Sequence, residues 1–197
     1  MNRKLMAIVP LLIFIFICVF LYQGLFANPR EIQTGRIGQT VPTFNLPDLM
    51  QDNKRWTDEQ LKGDVYLLNV WGTWCPTCLA ELDYLTKLRE QGIKIIGLYY
   101  VQSYDADFDG PFDMQALRDD VSNMLARAGD PYQFNILDLE RSLALDLGVS
   151  GAPETFLVDK NGTSKSIVQG VTKEQKENFE SLFQLDNIVE YKGKVIL

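Results

Sequence analysis

Residues 65–78 read Val65-Tyr-Leu-Leu-Asn-Val-Trp-Gly-Thr-Trp-Cys-Pro-Thr-Cys78. Val65 to Val70 is a short apolar run of the kind that forms a buried strand. A C-x-x-C pair directly after such a strand, at the mouth of a helix, sets two sulfurs one helical turn apart, where they can close a disulfide without moving the backbone. Pro76 favours the first helical position, which makes Cys75 the N-cap, its sulfur facing the free N–H groups of Thr77 and Cys78. Those donors and the positive helix end favour thiolate over thiol and bring a cysteine pKa from about 8.5 into roughly the 3.5–7.5 range. Cys75 is then the expected exposed nucleophile. Cys78, one turn further in, suits the resolving role that breaks a mixed disulfide.

Two other uses of such a pair carry less weight. Zinc needs two more ligands, and the chain has no histidine and one other cysteine, Cys18; a structural disulfide across two intervening residues constrains the unfolded chain very little. Cys78 is followed by Leu79 rather than His, so this is not a haem attachment motif. The missing histidine also excludes Ser-His-Asp and Cys-His catalysis and His-ligated metals. No metal and no cofactor is called for.

Outward from the pair, Leu82, Leu85 and Leu88 recur at helical spacing within Glu81–Glu90, and Ile93 to Val101 is a second buried strand, giving a βαβ unit with parallel strands. An acidic loop, Gln102 to Asp113, follows. Leu117, Val121, Met124, Leu125 and Ala128 mark a helix stopped at Gly129, and a shorter helix is expected from Leu139 to Leu147. Thr155–Val158 and Ser164–Gln169 flank the turn Asp159-Lys-Asn-Gly162 and read as a hairpin. Thr172 with Gln175 is a capping box for a last helix to about Phe183. The class is α/β with a mixed sheet and the hairpin at one edge.

The first thirty residues are a separate object. Leu5 to Tyr22 holds eighteen uncharged residues, thirteen of them Leu, Ile, Val or Phe, worth about 4–8 kcal/mol of insertion free energy. Extended to Phe26 the run spans about 33 Å as a helix, matching a hydrocarbon core. A cleaved signal peptide has a shorter apolar region and small residues at its exit, where this chain has Leu25 and Phe26. Arg3 and Lys4 precede the run and no acid occurs before Glu31, so the N-terminus is expected in the cytoplasm and the bulk outside. The chain carries a formal charge of -7; past Arg30, 16 basic and 26 acidic residues remain, a balance that makes nucleic acid a poor partner. The expected organisation is a cytoplasmic tip (1–4), a transmembrane anchor (5–26), a linker (27–36), a catalytic domain (37–185) and a tail (186–197). Cys18 reads as a lipid-facing or packing residue.

The segments Leu68–Cys78 and Gly148-Val-Ser-Gly-Ala-Pro-Glu-Thr-Phe-Leu-Val-Asp159 resemble the thioredoxin superfamily and, more narrowly, the DsbE/CcmG thiol:disulfide oxidoreductases of cytochrome c maturation, from about Ile37 to about Thr172. The resemblance implies a thioredoxin-like fold with mixed central sheet, an N-terminal extension and an inserted strand-helix segment before Gly151, preceded by one transmembrane helix. It implies that Pro153 is cis, leaving the backbone of Ala152 free to hold a substrate strand beside Trp74 and Pro76; the alternative is an ordinary trans proline opening a strand. It implies further that the chain is anchored in the inner membrane with its catalytic domain in the periplasm, that it reduces the haem-binding cysteines of apocytochrome c or another maturation thiol protein, and that a membrane thiol transporter supplies electrons.

Glu81 lies three residues past Cys78 on the same helical face and Glu154 follows Pro153, so both could approach the sulfurs. Asn69 stands where ordinary thioredoxins, to which this strand is similar, carry a buried aspartate that handles the proton of the second cysteine. With no histidine present, Glu81 or Glu154 is the expected substitute, against the alternative that each is a solvated surface acid. Asp105-Ala-Asp-Phe-Asp-Gly110 repeats the opening of an EF-hand loop, but its twelfth position is Ala116, which favours a solvated loop over a weak calcium site. Three other functions compete. A thiol peroxidase would need a P-x-x-x-T-x-x-C arrangement that is missing before Cys75. A general periplasmic thioredoxin-like reductant and a non-enzymatic apocytochrome-binding module both remain open.

Overall fold

The computed structural model describes residues 3–26, 37–102 and 111–169, with side chains at 9, 10, 12–22, 37–102 and 111–165. The putting-together of an EF-hand-like loop at Asp105–Gly110 and of a helix from Thr172 to Phe183 therefore lies outside the described residues. The chain divides into two units, Met1–Gln33 and Thr34–Leu197.

In the first unit α1 runs Arg3–Phe26 with Pro10 inside it. Its large apolar side chains, Val9, Leu12, Ile13, Phe14 and Phe16 among them, are exposed, as is the free thiol of Cys18. Among the described residues, no helix is long and apolar enough to cross a membrane.

The second unit is a mixed five-stranded sheet with a two-stranded ribbon beside it. The ribbon pairs β1 (Asn45–Pro47) with β2 (Arg55–Thr57) antiparallel. The main strands are β3 (Tyr66–Trp71), β4 (Ile95–Tyr100), β5 (Phe134–Asp138), β6 (Glu154–Val158) and β7 (Ser164–Gln169), in spatial order β5-β4-β3-β6-β7. β3, β4 and β5 are parallel, and β6 and β7 run antiparallel to their neighbours, so the hairpin does form one edge. A strand and a short helix, β5 and α4 (Ser142–Asp146), lie between β4 and Gly151. The Asp138 carboxylate accepts from Ala144 N–H at 2.8 Å and from Ser142 Oγ at 3.2 Å, which fixes the start of that short helix.

All six residues of β3 are buried, as expected of a central strand covered on both faces. Leu67 and Trp71 join a cluster with α2 (Pro76–Glu90) and α3 (Met114–Ala128), which contribute Leu82, Leu85, Leu88, Val121 and Leu125. Tyr66, Leu68 and Val70 point the other way, into a cluster with Val41, Leu61, Leu143 and Leu147. Each fully buried Leu or Val contributes about 1.5–3 kcal/mol of transfer free energy, so β3 ties both layers together. α3 starts on the Asp113 side chain, which accepts from Ala116 N–H at 2.9 Å, and ends at Gly129, whose φ of 102° a side chain rarely adopts.

Candidate active site

β3 delivers the chain into α2 at its C-terminal end, so the first turn of α2 opens beside the sheet. Cys75 is the N-cap with Pro76 following, and Cys75 and Cys78 are joined in a disulfide with Cα atoms 5.3 Å apart. The Cys78 N–H donates to Cys75 Sγ at 3.1 Å, the helix-terminus contact expected of a thiolate site. Thr77 contributes through its hydroxyl, 3.4 Å from the sulfur, rather than through its amide. The expectation of an exposed nucleophile needs correction: Cys75 is only 3% exposed and Cys78 0%. The difference in access survives but is small, because both sulfurs join the cluster under α2, against which Trp74 and Ala152 pack. Pro76 and Thr77 stay exposed.

Trp74 is anchored by its indole N–H, which donates to Tyr100 C=O at 2.9 Å, and by an edge contact with the Tyr100 ring, centroids 5.1 Å apart. Gly72 makes room for it: a Cβ there would overlap the indole nitrogen and stand 2.7 Å from Cε2. The Ala152–Pro153 bond is cis, Pro153 is buried and Ala152 half-buried. Ala152 packs against both core clusters, one of which contains the disulfide.

Neither glutamate is a solvated surface acid. Glu81 is 5% exposed and Glu154 1%. Strand alternation then separates them: Glu154 pairs with Val70 and Thr155 with Asn69, and successive side chains point to opposite faces. Asn69 and Thr155 face α2, where Asn69 Nδ2 donates to Glu81 Oε1 and to Thr155 Oγ1, both at 2.9 Å. Glu154 lies on the other face and folds back on the segment before Pro153, its Oε1 accepting from Ser150 N–H at 3.1 Å and Ser150 Oγ at 2.5 Å. Only Glu81 thus shares the α2 face of the sheet with the cysteine pair.

Sequence reasoning missed several residues that complete this layer. The Tyr132 hydroxyl donates to Asn69 Oδ1 at 2.7 Å, and its ring stacks on Trp71 with centroids 4.8 Å apart. Burial, reinforced by the charges of Glu81 and then Asp130, pushes the Tyr132 phenol well above its ordinary range, so it is held as a donor. Trp71 Nε1 donates to Asn135 Oδ1 at 2.9 Å, across β4 at Gly97. Thr73 Oγ1 and Tyr99 OH are 2.9 Å apart, and burial raises the Tyr99 phenol in spite of that contact. Burial also raises Tyr100, with Arg141 opposing and Glu154 reinforcing the shift. Of these residues, Gly97 and Asn135 carry no motif of their own in the sequence.

A buried disulfide at a helix N-terminus, a cis proline in an adjoining loop and a mixed sheet of this order are the marks of one fold, and the known proteins agree. A Redoxin family profile matches residues 36–183. The thiol:disulfide interchange protein DsbE of Pseudomonas aeruginosa is 37% identical over 184 residues, 92% of this chain and 94% of that one. The chain belongs to the DsbE family. The Vibrio cholerae DsbE is 41% identical over 82% of this chain and 83% of its own length. Among solved structures, a thioredoxin-like protein from Aeropyrum pernix superposes with a TM-score of 0.57 at 20% identity, covering 72% of this chain and 88% of that one, a likeness of fold alone. As a DsbE-family thioredoxin-like protein, the chain is a protein-disulfide oxidoreductase working through its Cys75–Cys78 pair.

Proposed function

We propose that this DsbE-family protein is a reductant of protein disulfides, tethered to the inner membrane with its catalytic domain (37–185) in the periplasm, and that its substrates are the haem-binding cysteines of apocytochrome c or another maturation thiol protein. The observation that carries the chemistry is the hydrogen bond of Asn69 to the buried Glu81, one turn beyond Cys78. In the reduced state the Cys75 thiolate attacks one sulfur of the partner's disulfide and expels the first partner thiolate. Cys78 then gives its proton to Glu81 and attacks Cys75 Sγ; the Cys75–partner bond breaks and the second thiolate leaves. Two electrons pass to the partner, and a membrane thiol transporter returns two to the pair. Trp74, Pro76 and the backbone of Ala152 beside Pro153 frame the partner strand, and Glu154 acts through Ser150 on the shape of that loop.

The anchor is supported by the sequence itself, which carries no charged residue from Leu5 to Phe26; an uncharged, largely apolar run of that length suits a bilayer. At about 1.5 Å per residue that stretch of sequence, Leu5 to Phe26, reaches about 33 Å as a helix, the thickness of a hydrocarbon core.

The test is a full-length Cys78→Ser variant, in which the first mixed disulfide has no resolving thiol. Capture of an apocytochrome c or of a maturation thiol protein on Cys75 supports the reading. Many unrelated captured proteins indicate a general reductant, and none indicates a binding module without exchange.

A further inference from the structure

We propose that Tyr132 is a positioning residue for disulfide exchange: its hydroxyl holds the Asn69 side chain in the one orientation that presents an N–H to Glu81, and so keeps Glu81 ready to take a proton. The proposal rests on the role given above to Glu81 as acceptor of the Cys78 proton.

An asparagine amide in a buried site has two orientations, with oxygen and nitrogen exchanged. Three groups surround the Asn69 amide: Tyr132 OH at 2.7 Å, Glu81 Oε1 at 2.9 Å and Thr155 Oγ1 at 2.9 Å. The threonine hydroxyl accepts or donates equally well and so does not choose between them. Glu81 does not choose either across its own titration, because the carboxylate wants the N–H whereas the protonated acid can donate to the oxygen. The tyrosine breaks the tie. Its proton, held on the oxygen by burial, engages Asn69 Oδ1 and leaves Nδ2 for Glu81. A donor fixed on a carboxylate stabilises the charged form and lowers its proton affinity.

On its own helix Glu81 is flanked one turn away by Cys78 and Tyr84; Asn69 reaches it from β3 and is itself bonded to Thr155 of β6 and to Tyr132 of the segment entering β5, behind which Asp130 accepts the Tyr132 N–H at 3.0 Å. The residues that α3 turns toward α2, Val121 and Leu125, are apolar. Tyr132 itself is pinned by stacking on Trp71, so its hydroxyl has a fixed address.

The experiment reacts the reduced full-length protein with an aromatic disulfide whose thiolate is coloured. The first thiolate released reports attack by Cys75, and the second reports ring closure by Cys78. In the parent, the rate of the second phase rises with pH through a limb set by ionisation of Glu81. Tyr132→Phe is expected to move that limb up by about one pH unit, the loss of part of one charge-assisted hydrogen bond, while the first phase keeps its profile. Asn69→Ala, which deletes the amide, is expected to move it the same way and serves should Tyr132→Phe fold poorly. Glu81→Gln is expected to remove the limb, and Tyr132→Phe added to it to change nothing further. A profile unaltered by Glu81→Gln overturns the proton-acceptor role. A profile altered by Glu81→Gln but unmoved by Tyr132→Phe and Asn69→Ala overturns the positioning role alone.

Discussion

Gly97→Ala is a one-carbon change that the structure makes expensive. Gly97 is the β4 residue between Asn69 on β3 and Asn135 on β5. A Cβ there would overlap Asn135 Oδ1 and stand 2.7 Å from Trp71 Nε1, where ordinary contact begins near 3.4 Å. Trp71 cannot yield, being held between Tyr132 and Tyr99 with centroids 4.8 and 5.4 Å away. Asn135 must therefore swing off, and the indole N–H loses its acceptor at a fully buried site. An unsatisfied buried donor costs about 1–3 kcal/mol and overpacking about 1–3 more, so the expected loss is about 2–6 kcal/mol. That is a large share of the about 5–15 kcal/mol that holds a domain folded. Urea unfolding of the full-length oxidised protein, followed by tryptophan fluorescence, measures it. In an Asn135→Ala background, where the worse overlap is gone, the same substitution is expected to cost at least about 1 kcal/mol less. A Gly97→Ala variant within about 0.5 kcal/mol of the parent, the range of an innocuous surface change, would refute the argument that this glycine exists to admit the Asn135 side chain.

Gly72→Ala acts nearer the chemistry: its Cβ displaces the Trp74 indole from Tyr100 C=O, so the exchange rate with a protein disulfide is expected to fall by about tenfold, the equivalent of about 1.4 kcal/mol of lost positioning, with small-molecule disulfides affected less. In the hairpin turn, Asp159 is desolvated, yet the N–H groups of Thr163 and Asn161 and the Lys165 ammonium hold its pKa below the usual value. A carboxylate depressed in the folded state contributes stability above its unfolded pKa and loses it as pH falls through the folded one, so Asp159→Asn is expected to flatten the loss of stability below about pH 4, as read from denaturant midpoints across that range. Glu154→Gln weakens the acceptor for Ser150 and is expected to slow exchange with a protein disulfide while leaving Cys75 alkylation by a small reagent unchanged; an unchanged protein-exchange rate removes Glu154 from the shaping of that loop.

What could be read in advance follows from how local each signal is. β3 and the cysteine pair were legible because a doubly covered strand is apolar throughout and the helix start is written in adjacent residues, Cys75 and Pro76. The burial of Glu81 was not, since an acid on a helix ordinarily faces water; Asn69 meets it from β3, itself held by Thr155, 86 positions further along the chain. The separation of Glu81 from Glu154 follows from the register of β3 against β6, which no stretch of sequence displays. Tyr132 and Asn135 lie in Tyr132-Gln-Phe-Asn-Ile-Leu137, a run whose mixed polarity hides both a strand and two residues aimed at β3. The exposure expected of Cys75 failed for a related reason: a helix N-terminus suggests access, but Cys75 belongs to the core cluster against which Trp74 and Ala152 pack.

The central claim is that the reduced pair delivers two electrons to a haem-site disulfide. Its most direct measurement mixes reduced full-length protein with an equimolar oxidised peptide bearing the C-x-x-C-H sequence of an apocytochrome and counts thiols on both by alkylation and mass spectrometry. Peptide dithiol is expected to appear in step with a Cys75–Cys78 disulfide, by way of an adduct on Cys75. A peptide that stays oxidised while the protein keeps both thiols would contradict it.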